Sequence, residues 1–464
     1  MEDKNRLFGE LRQRYPEFVY EAYHYEAEPE GLRVWFDFRM GDVVFHPESL
    51  VERRKFLDFG IERGVLERMV FDIGMVELVS YWKCACPPLV RVECGELTEG
   101  EVAFWRKLYW NGLGEFFYTN RIDADSDSFV NFQVKESKSR RVKESEGRRV
   151  GEYLVPVGGG KDSVVTLELL GRAGKGIRPL IMNPRGATVE CARIAGFPLN
   201  EVLVIRRKID PTLLELNGET ERDDRGANVH RYLNGHTPFS AMLAFYTRLA
   251  SALSGIPNVA LSNENSANES TVPGTTVNHQ YSKSLEFEDD FRRYVNSERE
   301  PNTFNYFSFL RPLSELQIAM LFSRFTAYHD VFRSCNAGSK QDIWCGRCAK
   351  CLFAYIILSP FIEPVRLNQM FGKSMLDDLT LKHEFEQLVG EAETKPFECV
   401  GTVSEVRQAL AMSIARWYPE NRPALLEDLK GSNALNGLNA LAPLGNLTPE
   451  ERQILQAACT EKNN

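Results

Sequence analysis

From Tyr153 onward, short apolar runs alternate with helix-patterned stretches, and no other feature of the sequence restricts the fold as strongly. The runs Tyr153–Val157, Ile177–Met182 and Val202–Ile205 are followed by helical patterns at Asp162–Leu170, Thr188–Ala195 and Pro211–Leu216. An apolar helix over Pro238–Leu253, a strand at Val259–Leu261 and further elements carry the series to about Leu358. Strand–helix–strand alternation predicts an α/β fold, a parallel sheet with helices on both faces, since a parallel neighbour can be reached only by a crossover connection.

At 464 residues the chain exceeds the roughly 250–300 residues at which single cores stop growing, so two or three domains are expected. Residues 1–150 mix alternating stretches such as Arg33–Phe38 with apolar-periodic segments around Ile61–Trp82 and Glu101–Tyr118, which predicts an N-terminal α+β domain, a candidate for substrate binding. The charge-rich run from Val134 through Arg149 reads as a solvated helix or linker, and a domain boundary is drawn there. Residues 151–360 form the α/β domain, and 361–464 a helical C-terminal region with a Gly-, Asn- and Ala-rich connector at Gly431–Asn446.

The chain carries a formal net charge of −9, which offers no global positive field for a phosphate backbone, so no nucleic-acid partner is expected. No window approaches the ~18 continuous apolar residues of a membrane span, and Met1-Glu2-Asp3-Lys4-Asn5-Arg6 lacks the apolar core of a signal peptide. A cytoplasmic chain without a membrane partner is the expectation.

Val155-Pro156-Val157 runs into Gly158-Gly159-Gly160 and then Lys161-Asp162-Ser163, a strand turning sharply into a helix. Residues without a Cβ let the backbone take positive φ and let N–H groups approach phosphate oxygens at the helix start. This is not the common P-loop, because Asp162 follows Lys161 where that motif has Ser or Thr. A carboxylate in such a loop suits a role in holding Mg²⁺ on released pyrophosphate. The plainer alternative is a glycine turn capped by Asp162 or Ser163.

Four of ten cysteines cluster as Cys335-x9-Cys345-x2-Cys348-x2-Cys351, a spacing that suits one closed, structural, tetrahedral Zn²⁺. Gly346 supplies the tight bend of a metal knuckle. Redox or sulfur-transfer chemistry, and four unrelated buried thiols, are the alternatives; Cys84, Cys86, Cys94, Cys191, Cys399 and Cys459 read as inert.

The glycine loop resembles the signature Ser-Gly-Gly-x-Asp-Ser of the ATP-pyrophosphatase (PP-loop) superfamily, which has an adenine nucleotide alpha-hydrolase-like fold. Gly159, Gly160, Asp162 and Ser163 match, while Gly158 replaces the leading serine. The cysteine arrangement is similar to the zinc-binding tail of the 7-cyano-7-deazaguanine synthases. With Asn234–Ser240, Leu261–Ser270 and Phe309–Glu315 added, the sequence resembles the UDP-N-acetylmuramoyl-L-alanyl-L-glutamate epimerases (MurL) of bacterial peptidoglycan synthesis, most densely between Leu154 and Phe361. That resemblance implies ATP and Mg²⁺ as cofactors, the UDP-MurNAc-dipeptide as small-molecule substrate, and inversion of its terminal L-glutamate.

An epimerase gains from ATP because an α-proton beside a free carboxylate is very weakly acidic; adenylation removes the charge and leaves an electron-withdrawing carbonyl. Glu264 and Glu269 follow the strand Val259–Leu261 at the carboxyl end of a parallel sheet, so they are candidates for base or Mg²⁺ ligand. His236 and His279 could carry protons near neutrality. Asn263, Asn268, Lys283 and Arg311 are the substrate-binding candidates, Arg311 by a two-point fork on carboxylate or phosphate. Competing readings are an amide- or nitrile-forming ligase of the deazaguanine type, a tRNA sulfur-transfer protein, and a binding protein whose loop has lost activity.

Overall fold

The computed structural model describes residues 4–137, 149, 151–222, 228–296, 304–427, 429, 438 and 440–461. Most of the charge-rich run up to Arg149, and residues 431–437 and 439 of the C-terminal connector, lie outside the described residues. The architecture is α/β with a mixed sheet, and fifteen α-helices are present among the described residues. None of them is long and apolar enough to cross a membrane.

Two compact units interleave along the chain. One comprises Met1–Val150, Val204–Pro257 and Thr276–Asn305, and the other Gly151–Leu203, Asn258–Thr275 and Tyr306–Asn464. This division differs from three consecutive domains cut at 150 and 360, because side chains and strands far apart in sequence close the first core.

In the first unit the strand Gly31–Met40 buries Leu32, Val34, Phe36, Phe38 and Met40 and turns Arg33, Trp35, Asp37 and Arg39 outward, as its alternation requires. It pairs antiparallel with Glu17–Glu28 and with Glu48–Glu52. Glu17–Glu28 pairs parallel with Leu89–Leu97, which pairs parallel with Asn131–Glu136. The strand Leu203–Lys208, expected to continue a parallel series, pairs antiparallel with Glu48–Glu52, so the wholly parallel sheet is corrected to a mixed one.

The helix Arg63–Trp82 is buried on nearly every side beyond Met69, including the charged Asp72 and Glu77. Buried charges survive only with partners. Asp72 accepts from the Arg248 guanidinium at 2.8 Å and from the Tyr294 hydroxyl at 2.7 Å. Glu77 receives a two-point fork from Arg207 at 2.6 and 2.7 Å and the Tyr246 hydroxyl at 3.0 Å.

In the second unit Glu152–Pro156 pairs parallel with Gly176–Met182 on one side and with Asn258–Leu261 on the other. Asn305–Ser308 lies beside Asn258–Leu261. Bonds from Asn305 N–H to Pro257 and from Phe309 N–H to Leu261 climb both strands together, as in a parallel pair. Three adjacent strands therefore point the same way, and the segments leaving their carboxyl ends begin at Val157, Ser262 and Phe309. Beyond Phe361 the described residues form helices and no strand.

Candidate active site

The strand Glu152–Pro156 ends in the glycine turn, and the helix Lys161–Arg172 begins at its far side with Gly160 as N-cap and no side chain capping it. Gly159 has φ +80°, and a Cβ there would come 3.0 Å from the backbone and side chain of Ala187. Only glycine fits that position without strain. Gly158 has open space where its Cβ would be, so its lack of a side chain is not imposed by packing. The Ser163 hydroxyl donates to the Gly160 carbonyl at 3.0 Å, and the Arg333 N–H donates to the Gly159 carbonyl at 2.8 Å. These bonds hold the loop while the first N–H groups of the helix have no side-chain cap, an arrangement suited to phosphate oxygens.

Lys161 does not lie loose on this loop. Its ammonium is buried and donates to Asp162 at 2.5 Å and to Glu315. Glu315 opens the helix Glu315–Ser323 behind the N-cap Ser314, whose hydroxyl and the Gln317 side chain form a capping box. Burial pushes the Glu315 carboxyl up to about 8; Lys161 opposes that rise, and the negative charges of Asp162, Glu264 and Glu405 add to it. Lys161 itself is held in its charged form, with the negative charge of Asp162 first among the groups that overcome the cost of burial.

Glu264 lies buried, with the Ser266 hydroxyl donating to its carboxylate at 3.2 Å. The Arg311 guanidinium, fully buried, donates to the Glu264 carbonyl at 2.7 Å and to the Ser308 hydroxyl at 3.0 Å. The Asn263 amide donates to the same hydroxyl at 3.0 Å. Arg311 and Asn263 thus brace two neighbouring loops. Glu269 and Asn268 are exposed, and Glu269 is ion-paired with Lys395. The structure brings together Gly158, Gly159, Gly160, Lys161, Asp162 and Ser163, and sets Glu264 within electrostatic reach of Glu315. Sequence reasoning missed Glu315 itself, although it closes the quoted segment Phe309–Glu315; after Ser314 it reads as an ordinary helix-start acid.

Cys335, Cys345, Cys348 and Cys351 converge, with sulfur atoms 3.5 Å apart for Cys348–Cys351, 3.7 Å for Cys345–Cys351 and 3.9 Å for Cys335–Cys348. Zinc–sulfur bonds of about 2.3 Å in a tetrahedron place sulfurs roughly 3.8 Å apart, whereas a disulfide would need about 2 Å. The geometry fits a metal and not a bridge. Gly346 takes φ +66° at the knuckle, and the Gly338 N–H donates to the Cys335 sulfur at 3.2 Å. Arg333, which holds Gly159, stands two residues before Cys335. Within the loop, Asp342 accepts from the Ala187 N–H at 2.9 Å, and Ala187 is the residue against which Gly159 packs. Other thiols are inert in character: burial pushes Cys84, Cys94 and Cys191 up to about 12.

His236, His279 and Lys283 belong to the first unit. His236 Nδ1 stands 3.2 Å from Glu115, which also takes His279. Burial, with His279, Lys83 and Lys283 nearby, lowers His236 to about 3, so it stays neutral near physiological pH.

Two family models match in succession, the MurL N-terminal domain over residues 10–309 and the MurL C-terminal domain over residues 331–431. The chain is also similar to the UDP-N-acetyl-alpha-D-muramoyl-L-alanyl-L-glutamate epimerase of Xanthomonas oryzae pv. oryzae, 36% identical over 365 residues, covering 77% of each chain. Against that of Salinispora tropica it is 36% identical over 364 residues, 75% of this chain and 74% of the relative. The Micromonospora relative of the same name is 35% identical over 355 residues, 75% of each. The chain belongs to the MurL family. It is therefore an epimerase, an isomerase by reaction class. The glycine loop, Glu264 and the Glu115 cluster fall within the MurL N-terminal domain and the four cysteines within the MurL C-terminal domain, while Arg311 and Glu315 lie in the stretch between the two.

Proposed function

We propose that this chain inverts the terminal L-glutamate of UDP-MurNAc-L-Ala-L-Glu to D-glutamate by activating the carboxylate beside the reacting carbon as an acyl-adenylate with release of pyrophosphate, inverting that carbon, and then hydrolysing the adenylate with water to release AMP. The observation that carries this reading is the convergence of the glycine loop, Lys161, Glu315 and Glu264 on segments that leave the same ends of adjacent parallel strands. Ligands of open α/β sheets bind at that edge. The loop's match to the PP-loop signature and the names of the MurL relatives agree with it.

In this reading the backbone N–H groups at the head of Lys161–Arg172 receive the phosphates, and Asp162 is placed to share a Mg²⁺ whose charge offsets that of the leaving pyrophosphate. Lys161, fixed between Asp162 and Glu315, keeps a positive charge at the loop. Glu264 takes the α-proton, and Arg311 holds its backbone still while it does so. Glu315 carries a proton close to neutrality and so is matched to returning one, the condition that general acid–base catalysis favours. Glu269, exposed and paired with Lys395, is outside this machinery. The four cysteines hold a structural zinc ion that buttresses the loop through Arg333 and Asp342. The sulfur-transfer reading gains nothing, since burial pushes the thiols of Cys84, Cys86, Cys94, Cys191 and Cys459 up and not down, and no observation favours the deazaguanine-type ligase.

The test is incubation with UDP-MurNAc-L-Ala-L-Glu, ATP and Mg²⁺ in deuterated water, reading AMP, glutamate chirality and α-deuterium together. AMP with D-glutamate and α-deuterium supports the whole sequence of steps, whereas AMP without inversion sends the search to another carboxylate. A Glu264→Gln variant that still incorporates deuterium at the wild-type rate would remove Glu264 from the role of base.

A further inference from the structure

The second group of metal-type ligands lies apart from the cysteines, in the first unit, and nothing in the proposed chemistry uses it. Glu115 comes from the short helix Gly114–Thr119, His236 from the loop ahead of the helix Phe239–Ser254, and His279 from the segment ahead of the turn Tyr281–Lys283. One ligand atom from each lies within 4.8 Å of the other two. We propose that Glu115, His236 and His279 form a binding site for a divalent transition ion of the zinc class, separate from the four-cysteine site.

Three features support it beyond proximity. The donor set is two imidazoles and one carboxylate, the ligand chemistry of three-ligand zinc sites and of the facial triad that binds non-haem iron. With metal–ligand bonds of about 2.0–2.2 Å, tetrahedral ligands stand roughly 3.3–3.6 Å apart, and Glu115 and His236 already stand at 3.2 Å. The ligands are also held before any ion arrives. The carbonyls of Gly235 and His236 and the Thr237 hydroxyl accept from the buried Lys83 ammonium. The Asn120 amide donates to the Asn234 carbonyl at 3.1 Å and to the Phe116 carbonyl at 2.8 Å, tying the His236 loop to the helix that bears Glu115. A turn closed from the Gln280 N–H to the Asn278 side chain at 2.8 Å frames His279.

Without an ion, His279 Nδ1 is hydrogen-bonded to the Glu115 carboxylate and His236 Nδ1 stands 3.2 Å from it. Coordination through Nδ1 needs the proton of each neutral ring on Nε2, which frees Nδ1 as the ligand. Three protein ligands leave at least one position open for water or an anionic oxygen, in contrast to the closed set of four thiolates.

The experiment is a cobalt titration of the chelator-stripped full-length chain, followed by zinc loading and metal analysis after gel filtration. Thiolate-to-cobalt absorption in the near ultraviolet is expected to saturate with the cysteine site. A further equivalent should then add only weak visible bands of a nitrogen–oxygen site. Glu115→Gln and His279→Ala should each lose that further equivalent of both metals and keep the thiolate band, which also shows that the second unit of the variant is folded; circular dichroism melts check the first. A wild-type chain that stops at the thiolate equivalent, or variants that keep the further equivalent unchanged, would overturn the proposal.

Discussion

Two adjacent glycines of the phosphate-type loop predict opposite responses to a side chain. Gly159 needs φ +80° and has Ala187 at 3.0 Å from any Cβ, so Gly159→Ala should cost about 1–2 kcal/mol in the backbone alone and displace the loop. AMP formation should fall steeply and the melting temperature with it. Gly158 has neither constraint, so Gly158→Ser, which restores the hydroxyl of the PP-loop signature, should melt like the wild type and keep activity. Equal losses in both variants would argue against phosphate binding by this turn. Glu315 makes a prediction in pH. Its carboxyl ordinarily titrates near 4.5 and is raised to about 8 in the fold. Below about 4.5 both folded and unfolded chains hold the proton; above it the unfolded chain loses the proton while the folded chain keeps it, so stability falls as pH rises toward 8. Melting temperatures of the wild type should therefore decline across that window relative to Glu315→Gln, and parallel curves would exclude the shift. At this scale the sequence was informative where chemistry and backbone coincide, in Gly159 and the cysteines. It was silent where burial decides: Glu264 and Glu269 look alike in a polar loop, yet one is enclosed beside Glu315 and the other pairs with Lys395 at the surface.

Between elements, the informative contact is that of the cysteine knuckle with the glycine turn. Arg333 donates its N–H to Gly159, and Asp342 accepts the N–H of Ala187, on which Gly159 rests. A metal that fixes Cys335 and Cys345 therefore fixes both supports, which flank Cys335 and precede Cys345 in sequence. Asp342→Ala removes a hydrogen bond to a charged group worth about 1.5–3 kcal/mol. If roughly 1 kcal/mol of that reaches the loop, KM for ATP should rise about fivefold with the UDP-sugar KM unchanged. Stripping zinc should act in the same direction and more strongly. An Asp342→Ala variant with unaltered KM for ATP would show the knuckle to be independent of the turn. The elements themselves were readable because their periods are clean: the strand Gly31–Met40 alternates strictly, and the helix Lys161–Arg172 follows three glycines. What periodicity does not contain is pairing direction. The apolar run Val202–Ile205 reads as a parallel strand, yet the strand Leu203–Lys208 that contains most of it pairs with Glu48–Glu52 running the other way.

At the level of the whole chain, the charge-rich run suggests a boundary near residue 150, whereas the first compact unit also takes in Val204–Pro257 and Thr276–Asn305. The reason is visible in its core. Asp72 and Glu77 sit on a helix buried on nearly every side; Arg68, one turn away, reaches Asp72 at 3.0 Å, but Arg248 and Tyr294 on Asp72 and Arg207 and Tyr246 on Glu77 all come from beyond residue 203. No local pattern in residues 1–150 announces that its buried acids are answered from so far away. A fragment ending at Val150 would bury Glu77 without its cation and leave Asp72 with Arg68 alone, at about 3–5 kcal/mol for a broken buried pair, against a total stability of roughly 5–15 kcal/mol for a typical domain. It should therefore fail to give a cooperative thermal transition or dispersed amide resonances, while Asp72→Asn combined with Glu77→Gln should partly restore collapse without restoring a unique fold. A cooperative melt of the unmodified fragment would mean that the acids find other partners and that the interleaving follows from packing alone. The Glu115, His236 and His279 constellation obeys the same logic, since its three ligands come from the three separate stretches that this unit assembles, and a fragment ending at Val150 keeps only one of the three.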